Sequence, residues 1–131
     1  MGKTNNTTER SYSVQIVASS KELTKTEKVK FKDTTTCIRV DDASKEKTLI
    51  FRPDFWVEIE VHNENATTDK DYKQLIIVDT DGNKYITGSK NFRETFLDIF
   101  TDLYGEDYEV QVVRKPSKNF KNKEFLTCAI V

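Results

Sequence analysis

The sequence predicts a mainly β, α+β domain with a single long helix. Several stretches alternate apolar and polar residues with the period of two that is typical of half-buried strands. One stretch, residues 90–104, instead carries apolar side chains at the spacings of three and four that an amphipathic helix requires. Glycine and proline are scarce, at four and two of 131 residues, which favours long strands joined by few sharp turns.

The chain length suits one domain with a substantial core. Charged residues make up 33% and aromatic residues 11%, so we expect a well-solvated surface on an ordered body. Residues 1–10 are polar and are expected to form a disordered tail before a single domain at 11–131. The longest apolar runs are only about four residues, which predicts no membrane span. The N-terminus shows no hydrophobic leader, which predicts a cytoplasmic location.

The first third of the chain predicts additional strands. Residues 11–18 alternate between apolar and polar side chains and are expected to form a strand. We expect residues 19–33 to form a loop that becomes a short strand near 29–32. Residues 34–40 are rich in β-branched side chains and predict another strand, and residues 41–46 predict a charged turn.

The middle of the chain contains the clearest strand and turn signals. Residues 47–62 form the longest extended stretch, and Pro53 predicts a break, bulge or edge in it because proline cannot donate to a strand ladder. Strands are then expected at 72–79 and 84–87. Asp81-Gly82 between them is a hairpin signature, because both residues suit the left-handed backbone of primed turns.

The predicted helix at residues 90–104 has signals at both ends. Ser89 is the expected N-cap, and Gly105 follows where a helix C-terminal glycine is expected. Two further strands are expected after it, around 108–112 and at 125–131.

From residue 47 onward the predicted order is strand, strand, strand, helix, strand, strand. This order resembles the oligonucleotide/oligosaccharide-binding (OB) barrel, in which five strands curl into a Greek key. The break at Pro53 suits the long, bent first strand of that fold. The first 46 residues would then be extra strands. A plain α+β sheet with one helix packed on it has the same order and is the alternative.

Positive charge is concentrated in residues 114–123, which carry five basic residues and no acidic one. The whole chain has 21 basic and 22 acidic residues, so the remainder has 16 and 22. In an OB-like barrel this segment joins the fourth and fifth strands, a connection that binds oligonucleotides. The sequence therefore predicts binding of single-stranded nucleic acid. The residues expected to contact phosphates are Arg114, Lys115, Lys118, Lys121 and Lys123.

Aromatic side chains are the second requirement of a single-strand binder, because bases stack on them. The candidates are Phe120 within the basic segment, Trp56 on the polar side of its strand, and Tyr72 and Tyr85 on the hairpin. The candidates also have structural interpretations. Phe120 can anchor its loop, and Trp56 can be covered by the N-terminal extension. The lysines of the basic segment can form a merely solvated loop. Two glutamates flank Trp56 on its own face and repel phosphate, so Phe120 and the tyrosines are favoured.

No feature of the sequence indicates a reaction. His62 is the single histidine, and no Ser-His-Asp or Cys-His pairing is recognisable around it. Cys37 and Cys128 lie in apolar contexts typical of buried free thiols. The run Asp79-Thr80-Asp81-Gly82 is briefly similar to a calcium loop, but its glycine comes too early. We therefore predict a non-enzymatic protein without a metal or cofactor.

Two segments resemble small proteins of phages and mobile elements of Gram-positive bacteria. They are residues 86–89 and residues 114–119 with 125–128. The resemblance covers residues 50–131 and implies a single-stranded DNA-binding OB-fold protein, in which the basic segment and the hairpin aromatics are the binding positions.

The sequence also leaves a second function open, that of a protein-binding inhibitor or adaptor encoded by a phage or mobile element. Its acidic body would mimic nucleic acid, and its strand edges would pair with a protein partner. No feature of the sequence indicates an oligomeric state.

Overall fold

The computed structural model describes residues 11–119, 121 and 123–131. These residues form a mainly β, α+β fold with eight strands in two sheets and three α-helices, which confirms the expected class. The expected disordered tail at residues 1–10 lies outside the described residues, as do Phe120 and Asn122. No helix in the described part of the chain is long and apolar enough to cross a membrane.

The larger sheet contains five strands: β1 (Tyr12–Ser19), β2 (Ile38–Arg39), β4 (Pro53–Asn63), β5 (Asp71–Asp79) and β6 (Lys84–Thr87). Their order across the sheet is β1-β4-β5-β6-β2. The pairings are antiparallel except for β2 with β6, which is parallel. The smaller sheet consists of β3 (Ile50–Phe51), β7 (Val110–Pro116) and β8 (Glu124–Ile130), in the order β3-β7-β8. The helices are α1 (Lys25–Lys32), α2 (Val40–Glu46) and α3 (Lys90–Asp102).

Strands β3 and β4 are separated by one residue, and β3 belongs to the smaller sheet whereas β4 belongs to the larger one. Phe51 pairs with Val110 of β7, whereas β4 pairs with β5 and its register shifts between Pro53 and Phe55. Proline contributes no N–H to a ladder, so the shift lies where the sequence predicted a break. Within the described residues the two sheets do not close into a barrel, since β6 pairs with β2 on its outer side and β8 pairs with β7 alone.

The β5–β6 hairpin is confirmed, and one carboxylate organises its turn. Asp79, which is buried, accepts hydrogen bonds from the backbone N–H groups of Asp81 and Asn83 at 3.0 and 2.8 Å. Gly82 adopts a φ of 88°, a conformation that glycine reaches without steric cost. The residues that resembled a calcium loop therefore form a hairpin turn.

Two apolar clusters lie on opposite faces of the larger sheet, and β5 contributes to both. Ile77 belongs to the cluster beneath α3 and the smaller sheet, whereas Ile76 belongs to the cluster beneath α1. The first cluster is centred on Phe92 and Phe96 of α3, which are fully buried. In the second, Phe31 of α1 packs edge-on against Phe55 with ring centroids 5.9 Å apart.

The N-terminal third differs from the sequence prediction, although β1 is confirmed. The short strand expected near 29–32 was wrong, because these residues end helix α1. Thr24 and Glu27 form a capping box there, in which each side chain accepts from the other residue's backbone N–H.

The expected strand at 34–40 shortens to β2. Asp33 accepts from the backbone N–H of Thr35 at 3.1 Å and caps a 3₁₀ turn at Thr34–Thr36. The charged segment 41–46, expected to be a turn, lies in α2.

Helix α3 confirms its sequence signals. Ser89 accepts from the backbone N–H of Phe92 at 3.3 Å as the N-cap, and Gly105 adopts a φ of 87° just after the helix. Phe92, Phe96 and Phe100 form the buried face, as their spacing predicted.

Candidate nucleic-acid interface

The basic segment is a β-hairpin rather than an open loop. Strands β7 and β8 pair Lys115 with Phe125 and Pro116 with Glu124, and the N–H of Ser117 donates to the carbonyl of Lys123 at 2.8 Å. The tip of this hairpin therefore lies between Pro116 and Glu124, and Ser117 and Lys123 stand at its base. Because cross-strand partners point to the same face, Lys115 and Phe125 are neighbours on one side of this hairpin.

Arg114 is held within the protein. Its guanidinium donates to Glu124 at 3.1 Å, and on α2 to Asp41 at 3.2 Å and Ser44 at 3.0 Å. The side chain is 23% exposed, and the carboxylates of Glu124 and then Asp41 raise its pKa above the ordinary value. Arg114 thus braces α2 against the hairpin, and in this arrangement its Nε and Nη1 donors already have partners within the protein.

Three lysines of the hairpin, Lys115, Lys118 and Lys121, are more available. Lys115, Lys118, Lys121 and Lys123 are all exposed. Lys115, Lys118 and Lys121 form no ion pair with any described residue. Glu124, the nearest acidic residue in the hairpin, is paired with Arg114. The tip is therefore a cationic surface.

The predicted stacking residues are in different environments. Tyr85 is only 7% exposed and stacks on Phe51 with centroids 4.9 Å apart, so a base can reach its ring only if the core opens. Trp56 is half-buried and packs against the cluster beneath α3. Phe120 lies outside the described residues. Tyr72 is half-buried at the margin of the α1 cluster and lines a cavity.

That cavity adjoins another one, and together they form a groove that leads to the hairpin. Both cavities are lined by Arg39, Gln74 and Ile86. The first, of about 310 Å³, contains Tyr72, and the second, of about 390 Å³, reaches Phe125. We call this the Tyr72–Phe125 groove. It connects one predicted stacking residue with the base of the lysine hairpin.

Sequence reasoning missed three residues of this groove. Tyr12, 47% exposed, lines the same cavity as Tyr72, and Phe125 lies at the other end. Arg39 stands between them, because β2 pairs in parallel with β6 and sets Arg39 opposite Ile86. Alternation could have assigned a face to Phe125, but no local signal predicts a two-residue parallel strand.

Two acidic residues, Asp41 and Glu124, also line the groove near the hairpin. Both carboxylates bind Arg114, so their negative charge is largely offset. Arg39 contacts Asp42 at 3.2 Å, but both side chains are exposed and such pairs are weak. Arg39 can therefore exchange this partner for a phosphate at small cost.

The two cysteines and the histidine are further side chains with nucleophilic or acid–base chemistry. Cys37 lines the first cavity of the groove, whereas Cys128 and His62 line neither cavity. Burial raises the pKa of Cys37 and raises that of Cys128 to about 12, so both thiols are protonated at neutral pH. The ring nitrogens of His62 contact Asp71 at 2.7 Å and Glu64 at 3.2 Å. Within the described ranges no three His, Cys, Asp or Glu side chains gather as metal ligands.

Comparisons of the chain with protein-family models, curated proteins and solved structures found no match. A function must therefore be inferred from the residues of the groove and the hairpin.

Proposed function

We propose that this protein binds single-stranded DNA, without catalysis, along the Tyr72–Phe125 groove and the lysines of the β7–β8 hairpin. The observation that carries the proposal is a groove with an aromatic residue near each end that leads to a cationic tip. Bases stack on Tyr72 and Phe125, and phosphates contact Arg39 and the hairpin lysines. Single-strand binders combine these two elements, since every base has a face that can stack.

The strand pairing supports an OB-like assignment as part of this proposal. A bent first strand that pairs on both sides, a three-strand meander and a final hairpin are the parts of that fold. In OB folds the ligand lies on the second and third strands and on the connection between the fourth and fifth. Here these correspond to β5, β6 and the β7–β8 tip. Two expectations from the sequence are kept as parts of this proposal. They are the resemblance to single-stranded DNA-binding proteins of phages and the cytoplasmic location.

The N-terminal segment limits the length of the proposed site. Helix α1 and Leu23 cover the centre of the β4–β5–β6 face, whereas the end of this face near Tyr72 and Gln74 borders the groove. A bound strand must therefore be short along the sheet and continue across the hairpin. We expect a site at the lower end of the ~4–16 nucleotides that one OB fold covers.

Fluorescence anisotropy with a labelled oligothymidylate of about 16 nucleotides tests the proposal. Affinity should rise steeply as salt is lowered, because phosphate contacts release counterions. Changing Lys118→Gln together with Lys121→Gln should reduce the slope of log Kd against log salt by about 1.4, since each single-strand contact contributes roughly 0.7. Lys25→Gln with Lys30→Gln removes the same charge from exposed positions on α1 and should leave the slope unchanged.

Tyr72→Leu tests stacking separately from charge. It retains an apolar side chain against the α1 cluster but removes the ring, and loss of one stacked base is expected to weaken binding about 5- to 150-fold. Tyr104→Leu is the control, because Tyr104 is 74% exposed and lines neither cavity of the groove. Absence of binding at low salt, or equal effects of both lysine pairs, would refute the proposal.

A further inference from the structure

Within the described residues, the outer edge of β1 is an open strand edge with little protection. β1 is the end strand of the larger sheet, with β4 on one side and no described strand on the other. Proteins usually protect such edges with charged residues or proline. Residues 11–20 contain neither, although 33% of the chain is charged. A register shift between Ile16 and Ala18 is the one protective feature, and it leaves residues 12–16 in regular extended pairing.

The outward-facing backbone groups of this edge can be identified from hydrogen bonds at its start. The N–H of Glu64 donates to the carbonyl of Ser11 at 2.8 Å. In an antiparallel pair the residues that bond to the partner alternate with those that do not. Ser11, Ser13 and Gln15 therefore bond towards β4, and the next set turns its N–H and C=O groups away from the sheet. That set is Tyr12, Val14 and Ile16.

A groove of about 540 Å³ runs between this edge and helix α1. Its walls include β1 residues 15–19, the buried Leu23, and Lys28 and Lys32 of α1. The two lysines are four residues apart and thus share a helix face. Neither forms an ion pair with a described residue.

Glu27, the acidic residue of α1, already has other partners. Glu27 accepts from the backbone of Thr24 at 2.9 Å and pairs with Lys21 at 3.3 Å. The groove therefore offers the outward backbone N–H and C=O of Ile16 on one side, the buried Leu23, and two lysines without an ion pair to a described residue on the other side. Tyr12 and Val14 continue the same strand edge beyond the groove.

We propose that the β1 edge and α1 bind an extended acidic peptide segment of a partner protein, which adds a strand to the larger sheet. Main-chain hydrogen bonds to Tyr12, Val14 and Ile16 supply affinity, as in other β-augmentation complexes. Acidic side chains of the peptide contact Lys28 and Lys32. A second copy of this chain fits less well, because its β1 would bring no carboxylate to these lysines. This surface shares Tyr12 with the Tyr72–Phe125 groove but uses different lysines, and the proposed peptide binding does not depend on DNA binding.

Binding of defined peptides to the full chain tests this proposal. The probe is a labelled peptide of 8 residues, the length of β1, with alternating valine and glutamate. It should bind, and a valine–lysine peptide of the same length should not. Methylation of alternate backbone nitrogens should abolish binding, because it removes the donors of the added strand without changing charge. Binding of the methylated and unmethylated peptides with equal affinity would overturn the proposal.

Two variants separate the strand edge from the charges. Lys28→Gln with Lys32→Gln should weaken binding of the acidic peptide by about tenfold, since each exposed ion pair contributes modestly. Val14→Pro removes one outward N–H and should abolish binding while its pairing with β4 remains. Thermal unfolding checks that each variant is folded. Sedimentation of the free protein tests whether a second copy of this chain binds at the β1 edge instead. A dimer that Val14→Pro converts to a monomer would identify a second copy and refute the acidic-peptide assignment.

Discussion

His62 joins the two strands of the β4–β5 hairpin through its contacts with carboxylates. The hydrogen bond to Asp71, and secondarily that to Glu64, raises the pKa of His62 above its ordinary value of 6.5. A raised folded-state pKa means that the charged ring stabilises the fold. This contribution is complete below the unfolded-state pKa and is lost as pH rises through the folded-state pKa.

We predict that NMR titration gives a pKa above 6.5 for His62, and its signal is unambiguous because the chain has one histidine. Asp71→Asn should lower this pKa more than Glu64→Gln, because Asp71 provides the larger effect. The free energy of unfolding of the unmodified protein should fall as pH rises through the measured pKa. A pKa at or below 6.5 in the folded protein would contradict the arrangement.

The residues of the proposed interface show how far a sequence can predict a site. The lysines of the hairpin are exposed as predicted, because a polar segment between two strands must lie at the surface. Arg114 was grouped with them, but its partner Asp41 is 73 residues away in the chain and has no local signal. Tyr85 was expected to stack a base but is buried, since alternation tells which residues share a face but not whether another layer covers it.

At the level of elements, side-chain caps mark the starts of helices α1 and α3, whereas α2 begins without one. Ser89 and the apolar spacing predicted α3 correctly. The segment of α1 has few apolar residues, so its periodicity was weak, and its lysines suggested a loop. Thr24 and Glu27, three residues apart, form the Ser/Thr-x-x-Glu capping pattern. This pattern is the local signal that would have identified α1.

Ser89 connects α3 to the smaller sheet as well as capping the helix. Its hydroxyl accepts from Phe92 N–H and donates to the carbonyl of Leu126 at 3.3 Å. We predict that Ser89→Ala lowers the free energy of unfolding by about 1 kcal/mol, the usual cost of a lost N-cap. Urea denaturation measures this change. Ser89→Thr retains the hydroxyl and should cost less, so equal losses in the two variants would argue against the cap.

At the scale of the whole molecule, residues 11–46 are an integral part of the fold rather than an appendage. The sequence marked residues 1–46 as extra to an OB-like arrangement. In the structure, Leu23 and Phe31 cover one face of the larger sheet, and Val40 is fully buried in the cluster on the other face. The β4–β5–β6 strands are therefore buried on both sides, which explains the continuous apolar run 75–78 in β5.

We therefore predict that a chain lacking residues 1–46 does not fold cooperatively. Removal of residues 1–46 would expose the apolar residues that remain in the α1 cluster, namely Phe55, Val57, Ile59, Val61, Ile76, Val78 and Ile86. Loss of Phe31 alone, as Phe31→Ala, should cost about 3–5 kcal/mol, a large part of the ~5–15 kcal/mol that stabilises a typical domain. Thermal unfolding followed by circular dichroism should show a lowered transition for Phe31→Ala and none for the truncated chain. A cooperative transition in the truncated chain would mean that β4 and the strands after it form a self-sufficient core, with the N-terminal layer only covering it.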